Sequence, residues 1–209
     1  MLLAMPRRKL RTPELKHRLR NAAVEVLASE GPGGFTTRRI AGAAETSTPA
    51  VYELFGDRAG LLREVFFEGF RVLRAELAAT VETEHPLADL RSLGSAYRAF
   101  INENPQLARV MFSRPFSDFD PGPSEMDAGG SVRVLIVGRV QRCIDADEIE
   151  GDAIDVAHAL VALIQGLAEA EISRRLGTSR VSVDRRWRLA IDAMLAGLRP
   201  GAAAQSPPG

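Results

Sequence analysis

The sequence contains a single cysteine, Cys143, among its 209 residues. One cysteine cannot form an internal disulfide, and this scarcity is typical of proteins in a reducing compartment. Nothing near Cys143 in the sequence is clearly arranged to lower the pKa of its thiol, so we expect no redox role for it. The cysteine content therefore favours a cytoplasmic protein.

Histidine is almost as rare, and its three positions show no metal-ligand spacing. His17, His85 and His158 lie far apart, so we expect no metal site and no cofactor. The sequence also lacks a nucleophile–base pair or paired carboxylates at a plausible spacing. These absences argue against an enzyme.

We also expect no long hydrophobic run in this sequence. No apolar run approaches the roughly 20 residues that cross a membrane. The start, MLLAMPRRKLR, has a short apolar stretch followed by a basic cluster, which is the reverse of a signal peptide. We expect neither a membrane span nor a signal peptide.

Aromatic residues are few, with nine Phe, two Tyr and one Trp, and no segment shows the alternation of a β-strand. Helix start and stop signals recur instead, so we predict an all-α fold of about nine helices. Their expected ranges are 13–30, 36–44, 48–54, a long helix after 57, one from 86, one from 105, 131–145, 151–176 and 179–198. Residues 115–130 hold three Pro and three Gly and are predicted to form a mobile loop.

Charge is balanced overall but differs along the chain. Residues 1–64 hold 11 Lys and Arg against 7 Asp and Glu, whereas residues 65–209 hold 16 against 20. A basic front and an acidic remainder suggest that the first part meets a polyanion.

The stretch ETSTPAVYELF, residues 45–55, contains the most informative local pattern. Ser47 and Thr48 are good N-caps, whose hydroxyls are expected to accept from free N–H groups, and Pro49 suits the first turn of a helix. Val51 and Phe55, four residues apart, are then expected to point inward. The stretch therefore predicts a short helix whose leading end carries only small residues.

Another short helix precedes it, with Thr36 as N-cap and with Phe35 and Ile40 at the positions of a hydrophobic staple. Two short capped helices after a supporting helix predict a helix-turn-helix, whose second helix enters the DNA major groove by its N-terminal end. Small residues there let the backbone approach base edges, and hydroxyls can donate to phosphates or bases. Helix N-termini also favour phosphate. The predicted DNA-binding residues are Thr36, Thr37, Arg38, Ser47, Thr48, Pro49, Ala50, Tyr52 and Arg58.

Residues 13–62, with TTRRIAGAAETSTPAVYELFGDRAGLL preceded by AAVEVLASEG, resemble the N-terminal domain of TetR-family transcriptional regulators. Glu45 stands where that family usually has the turn glycine, and Thr46 where it has a buried Val. Leu54 and Arg58 stand where His and Lys are frequent. A non-glycine residue at the turn is expected to adopt a positive φ, at a cost of roughly 1 kcal/mol. The stretch SAYRAFINENPQLARVMF resembles, more weakly, the branch of the family that carries a Trp-His-Gly signature, although ALIQGL has Gln165 where the His would stand.

The resemblance implies the DNA-binding domain at 13–62 and a ligand-binding and dimerisation domain at 63–199, while the residues themselves predict a basic flexible arm at 1–12 and a disordered tail at 200–209. It implies a homodimer, paired through helices eight and nine, that binds a palindromic operator and is released by a small apolar effector. The expected pocket residues are Phe66, Phe70, Tyr97, Phe100, Met111 and Gln165. The expected interface residues are Ile154, Val161, Trp187, Ile191, Met194 and Leu195.

Several alternatives remain open from the residues alone. The arm PRRKLR either tracks the DNA backbone or a minor groove, or is a solvated tail. Each pocket residue can instead be plain core, helices eight and nine can simply complete the core, and Tyr52 can close the small core as well as reach a phosphate. An all-α enzyme or ligand carrier with a vestigial DNA-binding head is the alternative function, and a DNA-organising protein without a ligand is a third.

Overall fold

In the computed structural model, residues 12–112, 116 and 122–201 are described. Within these residues the chain is all-helical, as predicted, and forms nine helices. They are α1 (Pro13–Gly34), α2 (Thr37–Ala43), α3 (Thr48–Phe55), α4 (Arg58–Ala78), α5 (Pro86–Glu103), α6 (Pro105–Phe112), α7 (Pro123–Asp145), α8 (Ala153–Ile172) and α9 (Arg180–Gly197). The basic arm and the tail lie outside the described residues, apart from Thr12 and residues 200–201.

The helices group into two compact units. The first comprises residues 1–69 and 106–122, and the second comprises residues 70–105 and 123–209. The sequence predicted a single boundary at residue 62, whereas this division falls inside α4 and places α6 in the first unit.

The first unit is organised around the buried stripes of α1 and α4. Leu19, Ala23 and Leu27 on α1, together with Leu61 and Val65 on α4, are almost fully buried. Gly31, at φ 67° and ψ −168°, interrupts the helical geometry where the sequence predicted that the first helix would end. Phe35 and Ile40 are fully buried, as expected for a staple.

In the same unit α6 lies close to α4 at Gly69. A Cβ added to Gly69 would overlap Met111 Sδ, so any larger residue would displace the Met111 side chain. Glycine therefore permits this close helix packing.

The second unit packs α5, α7, α8 and α9 together with the end of α4. The predicted inward residues of α5 are all buried: Leu90, Leu93, Tyr97, Phe100 and Ile101. The buried side of α8 includes Ala157, Leu160 and Ile164, and that of α9 includes Val183, Trp187 and Leu195.

The prediction of a loop over 115–130 is wrong for residues 123–130, because α7 begins at Pro123. Proline suits a helix start. Gly129 lies close to the Phe70 ring, where an added Cβ would be 3.4 Å from Phe70 Cε1. Packing against α4 therefore overrides the low helix propensity of this glycine-containing segment.

The expectation that no apolar run approaches the length of a membrane span is also wrong. Within the described ranges, α8 alone is long and apolar enough to cross a membrane by length and composition, with a mean hydropathy of 1.4. Only 33% of the apolar window is buried. The apolar surface that remains on α8 is of the kind that a partner helix covers.

A polar network fixes the α4–α5 connection. Asp89, buried at 4% exposure, accepts hydrogen bonds from the Thr83 backbone N at 2.7 Å and the Thr83 hydroxyl at 2.8 Å. Arg142 Nη1 contacts the same carboxylate at 3.1 Å. Arg139, also buried, donates to the Thr80 carbonyl at 2.9 Å. The hydrogen bond from the Thr83 backbone, chiefly, lowers the pKa of Asp89 despite its burial.

We predict that Asp89→Asn lowers the melting temperature at pH 7, because an amide turns an N–H group toward donors that now face a carboxylate. A lowered folded-state pKa means that the stabilisation is present above the unfolded-state pKa and is lost as pH falls through the folded-state pKa. The difference in melting temperature between wild type and variant should therefore shrink from pH 6 to pH 3. Glu84→Gln, at an exposed position in the same connection, is the matched control. A difference that does not vary with pH would contradict this account.

Candidate nucleic-acid interface

The leading end of α3 is open and built from small residues. Ser47 and Pro49 are exposed, and Thr48 and Ala50 are partly exposed. Val51 is fully buried and anchors the helix from below. The backbone at this end is thus accessible to a large ligand, as the sequence predicted.

The prediction that hydroxyls cap α3 is wrong in its detail. Ser47 is the N-cap, but its side chain makes no capping hydrogen bond, and the Ala50 backbone N donates to the Ser47 carbonyl at 3.0 Å. Thr48 is the first residue of the helix rather than a cap. The proline at the second helical position, which has no N–H to satisfy, reduces the need for a side-chain cap.

The outward face of α3 continues through Tyr52. Its side chain is 50% exposed, so the ring is not enclosed in the small core. Phe55 is half-buried, and Lys16 Nζ lies 5.8 Å from the centre of its ring. Tyr52, which follows Pro49 by about one helical turn, is therefore open to solvent.

The N-terminus of α2 forms a second part of this surface. Thr36 is the N-cap and accepts from the Arg39 backbone N at 3.2 Å. Arg38 is exposed and pairs with no residue in the described ranges, whereas Arg39 forms an ion pair with Glu30 at 2.7 Å. Thr37 is partly exposed. Free N–H groups and one unpaired cation thus occur together at a helix start, an arrangement that favours phosphate.

The turn between α2 and α3 is tight and strained. Glu45 has φ 51°, which confirms the expected left-handed conformation at the position where the family usually has glycine. The Thr46 backbone N donates to the Ala41 carbonyl at 2.9 Å, and the Glu45 N to the Gly42 carbonyl at 3.1 Å. From α1, Arg18 Nη2 donates to the Ala44 carbonyl at 3.3 Å, a contact that no local sequence pattern indicates.

Arg58 is held differently from an ordinary phosphate-binding cation. Its Nε donates to the Phe35 carbonyl at 3.0 Å. Its guanidinium carbon lies 4.8 Å from the centre of the Phe116 ring and 5.7 Å from that of Phe35. Arg58 is therefore built into the support of the surface, and its predicted phosphate contact remains a prediction.

The six predicted pocket residues are divided between the two units. Phe66 and Met111 are buried in the first unit. In the second unit Tyr97 and Phe100 are buried, Phe70 and Gln165 are partly buried, and Gln165 Nε2 donates to the Tyr97 hydroxyl at 2.9 Å. The partner that a buried amide was expected to need is therefore Tyr97, whose pKa burial raises to about 12. The pocket remains a prediction.

The predicted interface residues divide into exposed and buried sets. Ile154 is 53% exposed, and Val161, Ile191 and Met194 are partly exposed. Trp187 and Leu195 are at most 5% exposed because they pack within their own unit, and their role in an interface remains a prediction. Leu189, which lies between Arg188 and Ala190 and was not among the predicted interface residues, is 69% exposed.

The Cys143 side chain is fully buried, and burial raises the pKa of its thiol to about 11. A protonated, enclosed thiol is a poor nucleophile, which agrees with the expectation of no redox role.

Two family models match the chain. Residues 19–65 match the model described as bacterial regulatory proteins, tetR family, and residues 90–194 match the tetracyclin repressor-like C-terminal domain. The chain belongs to the TetR family. It is a transcriptional regulator with an N-terminal DNA-binding helix-turn-helix domain.

Solved structures agree with this assignment. A Rhodococcus sp. RHA1 protein of unknown function shares 28% identity, with a TM-score of 0.77 over 92% of this chain and 99% of that one. A regulatory protein of the tetR family from Rhodococcus RHA1 shares 25% identity, with a TM-score of 0.67 over 88% and 98%. Apo ActR from Streptomyces coelicolor, at 18% identity, shares the fold with a TM-score of 0.60 over 91% and 97%. No curated protein matches the sequence.

We predict that Glu45→Asn stabilises this TetR-family protein by about 0.5–1 kcal/mol, because Asn tolerates the left-handed conformation better than Glu. Glu45→Ala keeps the strained Cβ and is the control, for which we expect little gain. Thermal melting at one fixed protein concentration measures both variants. Equal melting temperatures for the Asn and Ala variants would refute the strain at this turn.

Proposed function

We propose that the chain is a cytoplasmic repressor that binds a palindromic operator as a homodimer and is released by a small effector. The proposal that this face binds DNA is supported mainly by the exposed N-terminal end of α3 and the exposed N-terminal end of α2. Val51 anchors α3 while Ser47, Pro49 and Tyr52 remain exposed, which leaves this face open to a large ligand.

The residues of this surface take different parts in recognition. Thr36, Thr37 and Arg38 bind a phosphate, because helix N–H groups and a cation meet there. Ser47 and Thr48 offer hydroxyls to phosphates or bases, while Pro49 and Ala50 meet a thymine methyl. The Tyr52 hydroxyl contacts a phosphate, which positions α3 without specifying sequence.

Dimerisation is supported by apolar surface on the last two helices. Ile154 on α8 and Leu189 on α9 are large apolar side chains with more than half of their surface exposed. Ala162 and Gly166 on the exposed side of α8 are small enough for another helix to approach closely. A symmetric pair presents two reading heads, and a palindrome whose half-sites are about 34 Å apart matches that symmetry.

Effector release follows from linkage. A molecule that binds the free geometry of the dimer better than the operator-bound geometry lowers DNA affinity by that difference. A DNA-organising protein without a ligand would bind operator unaffected by any small molecule, so titration of candidate effectors into the complex separates the two functions.

The first test of the DNA-binding face is Arg38→Gln. Loss of one phosphate contact should weaken binding about equally on operator and unrelated duplex, and should reduce the slope of log affinity against log salt by about 1. Arg133→Gln, which removes an exposed charge from α7, is the matched control and should leave both values unchanged. Arg58 is unsuitable for this test because its contacts with Phe35 and Phe116 make its loss structural. Unchanged affinity and salt slope for Arg38→Gln would count against the proposed face.

The second test concerns the dimer surface. Leu189→Glu should shift the protein toward monomer in sedimentation experiments, because a charge would be buried against a second copy. Val134→Glu on α7, where the valine is 72% exposed, is the control and should keep the wild-type assembly state. A Leu189→Glu variant that remains as dimeric as the control would remove α9 from the interface.

A further inference from the structure

An open groove of about 850 Å³ lies in the second unit between α5 and α9. Small-molecule sites in proteins commonly have volumes of 300–1,000 Å³. None of the six predicted pocket residues lines this groove. Its lining raises the question of which ligand chemistry it suits.

The groove carries an excess of positive charge. Five arginines line it against two aspartates, Asp184 and Asp192. Both aspartates are already paired, since Arg91 contacts Asp192 at 2.9 Å and Arg98 contacts Asp184 at 2.8 Å. Arg98 also binds Glu171, at 2.8 Å.

The other three lining arginines are Arg180, Arg188 and Arg199. All three are exposed, and none pairs with a carboxylate among the described residues. Such uncompensated guanidinium groups along one groove favour a carboxylate or phosphate, whose oxygens match the planar N–H fork.

The floor of the groove is apolar and firmly held. Trp187 is 5% exposed, and the Arg98 guanidinium carbon lies 4.8 Å from its ring centre. Gly94, Ile191 and Ala196 add further apolar lining. The buried Trp187 Nε1 has no hydrogen-bond partner in the described part of the chain, so the indole is held by packing and by Arg98 alone.

We propose that this groove binds an organic anion, with its carboxylate on Arg180 and Arg188 and its apolar body over the Trp187 side. The charge provides specificity against neutral molecules of the same shape, because such molecules leave the arginines without a counter-ion. That this anion is the effector rests on the proposed function, whereas its binding to the groove does not.

The test uses cyclohexanecarboxylate, which does not absorb where tryptophan is excited, and the full-length protein without DNA. Trp187 is the only tryptophan in the chain, so its emission reports on the groove directly. With cyclohexanecarboxylate we expect a saturable change in tryptophan emission and a saturable binding heat. The neutral cyclohexanecarboxamide should bind with an affinity about tenfold lower than that of the carboxylate. Inorganic phosphate, which has charge without an apolar body, should also bind more weakly than the carboxylate.

Variants assign the binding to the groove. Arg180→Gln with Arg188→Gln should weaken the carboxylate by about tenfold or more and leave the amide unchanged. Both arginines are exposed and make no ion pair with a described residue, so their replacement should preserve the fold. Arg185→Gln, on the same helix but outside the groove, is the matched control.

Three results would overturn the proposal: no saturable response at roughly 10 mM carboxylate, equal binding of amide and carboxylate, or an equal effect of the paired variant and Arg185→Gln. Phosphate binding as tight as the carboxylate would overturn the role of the apolar floor. Because DNA is absent, failure of operator binding leaves the result intact. Arg38→Gln, which should weaken DNA binding, should bind the carboxylate normally.

Discussion

The stack formed by Arg58 with two phenylalanine rings is the contact on which the DNA-binding face depends. It joins the residue just before the α2 cap, the start of α4 and residue 116, which lies beyond α6. Phe35 and Phe116 are almost fully buried, with ring centres 5.5 Å apart. Because Thr36 directly follows Phe35, the stack fixes the position from which α2 starts. A lysine, which the family usually carries here, has no planar group to stack in this way.

The surrounding contacts also explain how the turn between α2 and α3 tolerates Glu45 in a left-handed conformation. The left-handed conformation of Glu45 costs roughly 1 kcal/mol. Three hydrogen bonds hold the turn nonetheless, two from its own backbone and one from Arg18 on α1. The strain is thus local. The orientation of α3 is determined by the packing of Val51 and by the hydrogen bond from α1, so the strain does not change it.

Local sequence patterns predicted most of the helices and several of their starts, because a helix start or an apolar stripe depends on a few neighbouring residues. Thr36, Asp57 and Pro86 start helices as expected, with Gly60 N donating to Asp57 Oδ1 at 2.7 Å. A local pattern does not show which helix packs against each apolar stripe. The stripe on α9 therefore does not by itself show that Trp187 and Leu195 are buried within their own unit. For the same reason the stacking role of Arg58 and the helical start of α7 were not predicted.

The chemistry of the proposed effector likewise depends on tertiary contacts that the sequence does not show. The resemblance implies an apolar effector in an aromatic pocket, and among those residues Gln165 Nε2 donates to the Tyr97 hydroxyl at 2.9 Å. In the α5–α9 groove, by contrast, five arginines outnumber the two aspartates that line it, and both aspartates already pair with an arginine. An anion bound in the groove gains both the contacts with these charges and the contact with the apolar floor. On electrostatic grounds the groove thus selects an anionic ligand, and an uncharged one would gain the apolar floor alone.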